Sequence, residues 1–292
     1  AVPPYYGALE YKTIDHTGVI ALLTGYVQNQ GSGWAYTVDA IGRYFERVLS
    51  TRPEIEDDEA LLNVIGAVYP ERARQLGRRT AELHLALSRD IDQGPLTPEP
   101  FSTLYQRSLY QAARGSFRRT IRLLDHSREN LTPEGWAVAE EILKREEVVL
   151  DRYSGLLKRK IHAVKTAIHG ALHLGQVLNT GKDFVIIDLE GDPSRSLSER
   201  RLKKSPFVDV ASMLRSFDYA ANTALRRQQP TDIDFLTPWA IAWSRHIAMQ
   251  FLVSYLETAQ GAAFIPQDPE DTQLLLDVLL LDRTVAEINN EL

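Results

Sequence analysis

The sequence predicts an α+β fold, mostly helical, with a small β-sheet set well into the chain. Three observations predict it. From Val38 onward, apolar residues recur at the helical period over most of the length. Thr97-Pro98, Thr132-Pro133, Thr237-Pro238 and Asp268-Pro269 each put a capping side chain before a proline. That is the signature of a helix start, because proline at the first helical position gives up only an N–H that has no partner there. Against this background, residues 165–191 form short β-branched runs punctuated by glycine.

The elements follow in order. "GALEYKTIDHTGVIALLTGYV" holds two apolar runs around Asp15-His16-Thr17-Gly18, which reads as a hairpin of two strands. "QNQGSGW" is a loop by composition. A helix follows, with Val38, Ile41, Phe45, Val48 and Leu49 on one face. From Glu59 to about Arg89 the pattern gives two helices broken near Pro70, and "DQGPLTPEP" then interrupts it. The helix that opens at Thr132 is expected to run to about Lys158. "KTAIHG", "QVLNTG" and "DFVIIDLEG" are the strands of the small sheet, with "IHGALHLGQVL" looping between them. Helices resume near Pro206 and continue to the end. Trp239 and Trp243 lie one turn apart and read as core.

Composition bounds the function. With 292 residues, 44% of them hydrophobic and 25% charged, the chain can bury a sizeable core. A net charge of −6 argues against a general nucleic-acid binder, which needs a basic surface. The basic run Arg200, Arg201, Lys203 and Lys204 reads as a solvated face. There is no cysteine, which excludes disulfides and thiolate catalysis. No apolar run approaches the roughly 20 residues that span a bilayer, and "AVPPYYGALEYK" lacks the features of a signal peptide. The expectation is a cytoplasmic protein with no nucleic-acid or membrane partner.

The chemistry concentrates in the loop. In protein kinases the catalytic loop carries an Asp that accepts the proton of the attacking hydroxyl and, five residues later, an Asn that holds magnesium. A second Asp on the next strands holds the metals bridging the phosphates. Here Gln176 stands five residues after Ala171, and Asp188 ends "FVIID". Only Ala171 departs from the pattern. The four-residue interval between His169 and His173 is metal-like on a helix, but in a loop the two read as histidines that brace the backbone. A metal hydrolase built on His169, His173 and Asp188 lacks a third ligand with a base of its own. On a continuous strand Asp188 and Glu190 would point to opposite faces. Asp209 by itself reads as a helix-start carboxylate.

"HGALHLGQVLNTGKDFVIIDLEGDPSRSLSERRLKKSPFVDVASMLRSFDYAA" resembles the bacterial maltokinases, nearly continuously from Ile168 to Ala221. "ALLTGYVQNQGSGWAYTVDAIGRYFERV" is similar to the hinge and first helix of that family. The resemblance implies a protein-kinase-like fold of the aminoglycoside phosphotransferase type and transfer of the ATP γ-phosphoryl group to C1 of maltose. It also implies ATP and Mg²⁺ as cofactors and trehalose synthase as a fused or partner enzyme. Residues 1–30 would then be the end of the nucleotide-binding lobe and its hinge. Residues 31–292 would be the helical large lobe, with the catalytic and metal loops at 168–192. By the same resemblance, Ala171 stands at the position of the family's general-base Asp, with His169 beside it. Gln176 and Asp188 would hold the metal, and the backbone at Tyr26 and Val27 would meet adenine. His173, Glu190, Tyr219 and Glu287 would face the acceptor, and Asp209 would support the loop. The nucleotide-binding lobe is expected upstream of residue 1. The alternative is a pseudokinase-like module that binds a sugar or a partner without catalysing, which Ala171 favours.

Overall fold

The computed structural model describes residues 2–13, 17–54, 58–89 and 94–292. In chain order the elements are β1 (Tyr5–Lys12), β2 (Thr17–Thr24), α1 (Gly33–Thr51), α2 (Asp58–Ile65), α3 (Val68–Leu87), β3 (Glu99–Pro100), α4 (Thr103–His126), α5 (Pro133–Lys144), α6 (Glu146–Lys158), β4 (Val164–Lys165), β5 (Val177–Asn179), β6 (Phe184–Ile186), α7 (Leu197–Arg200), α8 (Phe207–Leu225), α9 (Pro230–Thr258) and α10 (Pro269–Glu291). They group into two compact units. One comprises Ala1–Leu83, His169–Ser196 and Ser216–Ala259; the other comprises His84–Ile168, Leu197–Arg215 and Gln260–Leu292.

The first unit opens with β1 and β2 paired antiparallel from Tyr5↔Thr24 to Lys12↔Thr17. Asp15 and His16 of the expected turn lie outside the described residues, and Thr17 and Gly18 open β2. Ser32 then caps α1, its Oγ accepting from Ala35 N at 3.2 Å. The expected face of α1 is buried at Val38, Ile41, Phe45 and Val48, and Tyr44 joins it, while Leu49 is only half-buried. Tyr44 donates its hydroxyl to the Trp239 carbonyl on α9 at 3.1 Å. Thr37 donates to Gly33 O at 2.6 Å and so accepts from the buried Tyr69 hydroxyl on α3. The Tyr69 ring lies 5.1 Å from that of Trp243. Both tryptophans are buried in this core, as their helical spacing predicts.

Two expected boundaries in this unit move. The break between α2 and α3 falls at Gly66, whose φ of +72° suits glycine, and not at Pro70. Pro70 sits in the first turn of α3, where the N–H it lacks would be an orphan. Arg47 closes the end of α2 instead, its Nε donating to Val64 O at 2.8 Å. Thr237-Pro238 does not start a helix. α9 begins eight residues earlier at Gln229-Pro230 and runs through Pro238. Burial of Leu236, Trp239, Trp243 and Ile247 along one helix outweighs the single backbone bond that Pro238 removes.

The second unit is built on α4, α6 and α10. Thr97-Pro98 leads into β3 and not into a helix; the cap is Ser102, whose Oγ accepts from Tyr105 N at 3.2 Å. Thr132 and Asp268 do cap α5 and α10, accepting from Gly135 N at 3.1 Å and Glu270 N at 2.9 Å. The helix expected from Thr132 to Lys158 reaches both ends but breaks at Arg145. Buried Gln106 terminates α6, donating to Leu156 O and Arg159 O at 2.9 Å each and accepting from Ile161 N at 3.1 Å. The expected single sheet is two separate pairs: β4 pairs with β3, while β5 pairs with β6. The basic run is only partly solvated. Lys203 bonds Glu99 at 3.2 Å, and Lys204 pairs its backbone with Thr166. Lys165 and then Lys203 hold the Glu99 carboxyl below its ordinary range.

No helix among the described residues is long and apolar enough to cross a membrane.

A close backbone approach in the first unit yields a test. A Cβ on Gly77 of α3 would fall 2.3 Å from the Phe251 carbonyl oxygen of α9, whereas one on Gly42 of α1 would meet nothing within 4 Å. Overpacking against backbone typically costs about 1–3 kcal/mol, and alanine gains about 1 kcal/mol over glycine in a helix. Gly77→Ala should therefore lower the melting temperature and Gly42→Ala should raise it. Equal shifts of one sign in a thermal melt would disprove this account of the α3–α9 packing.

Candidate functional site

The loop from Ile168 to Gln176 is held by its histidines. His169 is buried; its Nε2 donates to Ile187 O at 2.8 Å and its Nδ1 accepts from Ala171 N at 3.3 Å. Both ring nitrogens therefore serve the backbone, which fixes the orientation of the ring. His173 accepts from Gly175 N at 3.0 Å and caps a 3₁₀ turn over Leu174–Gln176. Buried Leu172 and Leu174 anchor the loop from below, and Leu174 N donates to Ser216 Oγ on α8 at 3.1 Å. Ala171 lies half-buried between these anchors.

The hairpin β5–β6 brings the next two residues of the pattern together. Val177 pairs with Ile186, and one step further Ile187 N donates to Gln176 O at 3.0 Å. Gln176 is thus the hairpin neighbour of Ile187, and Asp188 follows immediately. Asp188 is not part of the strand. It is exposed, with φ of +59°, a left-handed conformation that Asp and Asn tolerate better than most side chains. The chain turns there through Leu189 and Glu190, so the alternation expected of Asp188 and Glu190 does not apply. A Cβ on Gly170 would lie 3.8 Å from Gly191 Cα, so the two loops close against each other. Asp192 receives Ser194 Oγ at 2.7 Å; that bond, and then Arg195, keep its carboxyl below the ordinary range against some burial.

The donor set fits magnesium. Gln176 and Asp188 offer only hard oxygen atoms, and Mg²⁺ is commonly held by one or two carboxylates together with substrate phosphates. Among the described residues, no group of three or more His, Asp or Glu side chains is placed to hold a metal by itself. That leaves the hydrolase reading without a site, since the His169 nitrogens are already engaged.

A linker runs from Gly25 to Ser32 beside this hairpin. Gln30 N donates to Asn179 O at 2.7 Å, and Asn179 N donates to Gly31 O at 2.9 Å. The Asn179 side chain is buried, and its Oδ1 accepts from Arg72 Nη2 at 2.6 Å and Gly181 N at 3.0 Å. Arg72 also lies over the Phe184 ring at 4.4 Å. One face of α3 continues this grip: Gln75 donates to Lys182 O at 3.0 Å, and Arg79 donates through Nε and Nη2 to the Asp183 carboxylate at 2.7–3.1 Å. Burial opposes the charge on Asp183, but the Arg79 bonds outweigh it and hold the carboxyl below its ordinary range. Within the linker Tyr26 is 89% exposed, and Val27 O accepts from Asn29 Nδ2 at 2.9 Å.

The remaining expected residues lie on helices. Tyr219 on α8 is half-exposed, its ring 5.9 Å from that of Trp34. Asp209, in the first turn of α8, is fully buried and meets His84 Nε2 at 3.1 Å. Glu287 accepts from Arg215 at 2.8 Å and 3.0 Å, with Arg283 3.4 Å away. Asn179, Arg72, Arg79 and His84 were not signalled by the motif. The recurrence Arg72, Gln75, Arg79 at helical spacing was the available sign of a polar helix face.

No family model matches the chain. It is 25% identical over 257 residues to a glucosamine kinase of Streptacidiphilus jiangxiensis, covering 88% of this chain and 50% of that protein. It is also 25% identical over 227 residues to a glucosamine kinase of Mycolicibacterium smegmatis (strain ATCC 700084 / mc(2)155), covering 77% and 48%. The chain therefore spans about half the length of the curated relatives it matches. Among solved structures it is similar to a glucosamine kinase in complex with glucosamine, ADP and inorganic phosphate, with a TM-score of 0.72 and 22% identity over 98% of this chain and 62% of that one. A second crystal form of a glucosamine kinase matches with a TM-score of 0.69 at 22% identity, over 98% of this chain and 60% of that one. The fold of the chain is that of the corresponding part of these glucosamine kinase structures.

Proposed function

We propose that the chain is the hinge (residues 1–30) and large lobe (residues 31–292) of a sugar kinase, a phosphotransferase acting from ATP with Mg²⁺ onto a sugar hydroxyl. The observation that carries this is the pairing of Gln176 with Ile187, which leaves an amide and the Asp188 carboxylate at one end of a hairpin that follows Ala171 closely. The similarity to glucosamine kinases supports the same class. The loop motif points to maltose as acceptor and the relatives point to glucosamine; a sugar hydroxyl is common to both.

In this reading Gln176 and Asp188 hold the metal, which supplies charge neutralisation for the phosphates when bound. His169 keeps the loop backbone in place around position 171. The backbone at Tyr26 and Val27 lies against adenine. His173, Glu190 and Tyr219 line the acceptor side, and Asp209, paired with His84, is a structural support. The attacking hydroxyl must lose a proton as its oxygen bonds to phosphorus. With Ala171 there is no carboxylate to take it, and a positioned base is worth about 10²–10⁴ in rate. The chain with Ala171 is therefore an impaired catalyst. Ala171 also supports a second reading, a lobe that binds sugar without catalysing.

Two experiments on the full-length protein test this. Ala171→Asp should raise ADP release in the presence of glucosamine or maltose by about 100-fold or more. A variant that binds sugar and nucleotide yet turns over no faster would favour the non-catalytic lobe. Separately, Mg²⁺ with ATP should raise the melting temperature, since a ligand at 100 times its Kd stabilises by about 2.7 kcal/mol. Asp188→Asn tolerates the same backbone conformation but removes the charge, so it should abolish most of that shift. A shift of undiminished size in the variant would remove Asp188 from the metal site.

A further inference from the structure

Two cavities adjoin in the second unit, and no described acidic residue lines either of them. One, of about 460 Å³, lies between α4 and α6, with Arg107, Tyr110, Gln111, Leu156, Leu157 and Lys160 in its wall. The other, of about 880 Å³, runs along β4 to the loop at 261–267, where Ile161, His162, Ile265 and Pro266 line it. Thr103 and Lys160 belong to both walls, which makes the cavities continuous. Each volume is that of a small-molecule site. None of the residues assigned above to metal, nucleotide or acceptor takes part in either wall.

One buried side chain places the two cations of the smaller cavity. Gln106 donates to Arg159 O at 2.9 Å and accepts from Ile161 N at 3.1 Å, so it grips the chain on either side of Lys160. The next residue of α4 is Arg107. The backbones that carry Arg107 and Lys160 are thereby fixed against each other. Other cations of this unit find carboxylates: Lys165 and Lys203 share Glu99, and Arg159 is taken up by Glu270 and Asp271. Arg107 and Lys160 have no ion pair among the described residues. Nor do Arg114, Arg118 and Arg122, which continue from Arg107 along one face of α4. Asp125 is the only acid in the 24 residues of that helix. A cleft walled by one sign of charge concentrates ions of the other sign. Here it does so on a chain of net charge −6.

The wall selects the ligand class. A phosphate monoester carries a charge of about −1.5 to −2 near neutral pH, which matches two unpaired cations better than a single carboxylate does. Leu156 and Leu157 on one side, and Ile161, Ile265 and Pro266 on the other, offer apolar surface that a bare inorganic ion would leave uncovered. We propose that the joined cavities bind an organic phosphate, its phosphate group between Arg107 and Lys160 and its apolar part against these side chains. The site stands independently of the sugar-kinase reading.

The test is calorimetry on the full-length protein with phenyl phosphate, benzoate, inorganic phosphate and benzyl alcohol. Phenyl phosphate should bind tightest of the four. Arg107→Glu and Lys160→Glu should each weaken it by about tenfold or more, the order expected of one charge-assisted contact. Arg107→Lys and Lys160→Arg should keep most of the affinity, which excludes a folding defect as the cause of the loss. Lys144→Glu changes the net charge equally on α5 and should leave binding unchanged, as should Asp188→Asn. Absence of phenyl phosphate binding would overturn the proposal. Inorganic phosphate binding as tightly as phenyl phosphate would mean an adventitious ion only, and benzoate binding as tightly would remove the preference for a dianion; either result overturns it. So would an equal loss in Lys144→Glu, or a loss in Asp188→Asn, which would place the probe in the kinase site.

Discussion

The hydrogen bonds converging on Asn179 are the constraint on which the rest of the candidate site depends. One buried residue ties its backbone to the linker at Gln30 and Gly31, and its side chain to Arg72 on α3 and to the turn at Gly181. Its backbone bonds fix where the linker lies beside β5, and its side chain sets the start of the turn into β6. The position of Asp188 follows, because the register of so short a hairpin is set by its turn and its few pairs. A buried amide left without its partner costs about 1–3 kcal/mol, so Arg72 and the turn at Gly181 are coupled through one side chain. The cation over Phe184 and the bidentate Arg79–Asp183 pair extend the same grip along α3.

Much of this was legible in the sequence, for reasons that differ by element. α1 was readable because its buried positions repeat at the helical period, and the caps at Thr132 and Asp268 because local side-chain chemistry decides them. The same cap signature failed at Thr97 and Thr237, where tertiary packing prevailed: residues just after Pro98 pair with β4, and α9 buries a face that continues through Pro238. The strand pairing was misread for a related cause. "KTAIHG" has the composition of a strand, but its partner, Glu99–Pro100, lies far away in sequence. The nearness of Gln176 to Ile187 and Asp188 was legible because a hairpin translates separation along the chain into adjacency. The anchors Asn179, Arg72, Arg79 and His84 were not, since their roles arise from contacts between distant segments.

The two loop histidines illustrate how scaffold and chemistry share one motif. A pair of histidines four residues apart suggests ligands or bases. Each instead gives a ring nitrogen to a nearby backbone N–H, and His169 also donates to Ile187 O on the following hairpin. The loop thereby holds a defined shape around a residue that brings no functional group of its own. The hydrogen bonds that set the loop's shape thus do not involve the side chain at position 171.

The backbone at Asp188 carries a consequence for how such a site decays once selection relaxes. Asp188 and Arg52 are the non-glycine residues with positive φ among those described; Ala171 is not among them. At position 171, replacing a carboxylate by a methyl group brings no left-handed penalty. At position 188 most replacements would carry one, of roughly 1–2 kcal/mol, and only glycine, asparagine and aspartate largely escape it. Positions 171 and 188 are therefore unequally free to drift. A lineage released from selection on this loop would exchange the side chain at position 171 readily and keep Asp, Asn or Gly at position 188 long afterwards, held there by backbone geometry alone.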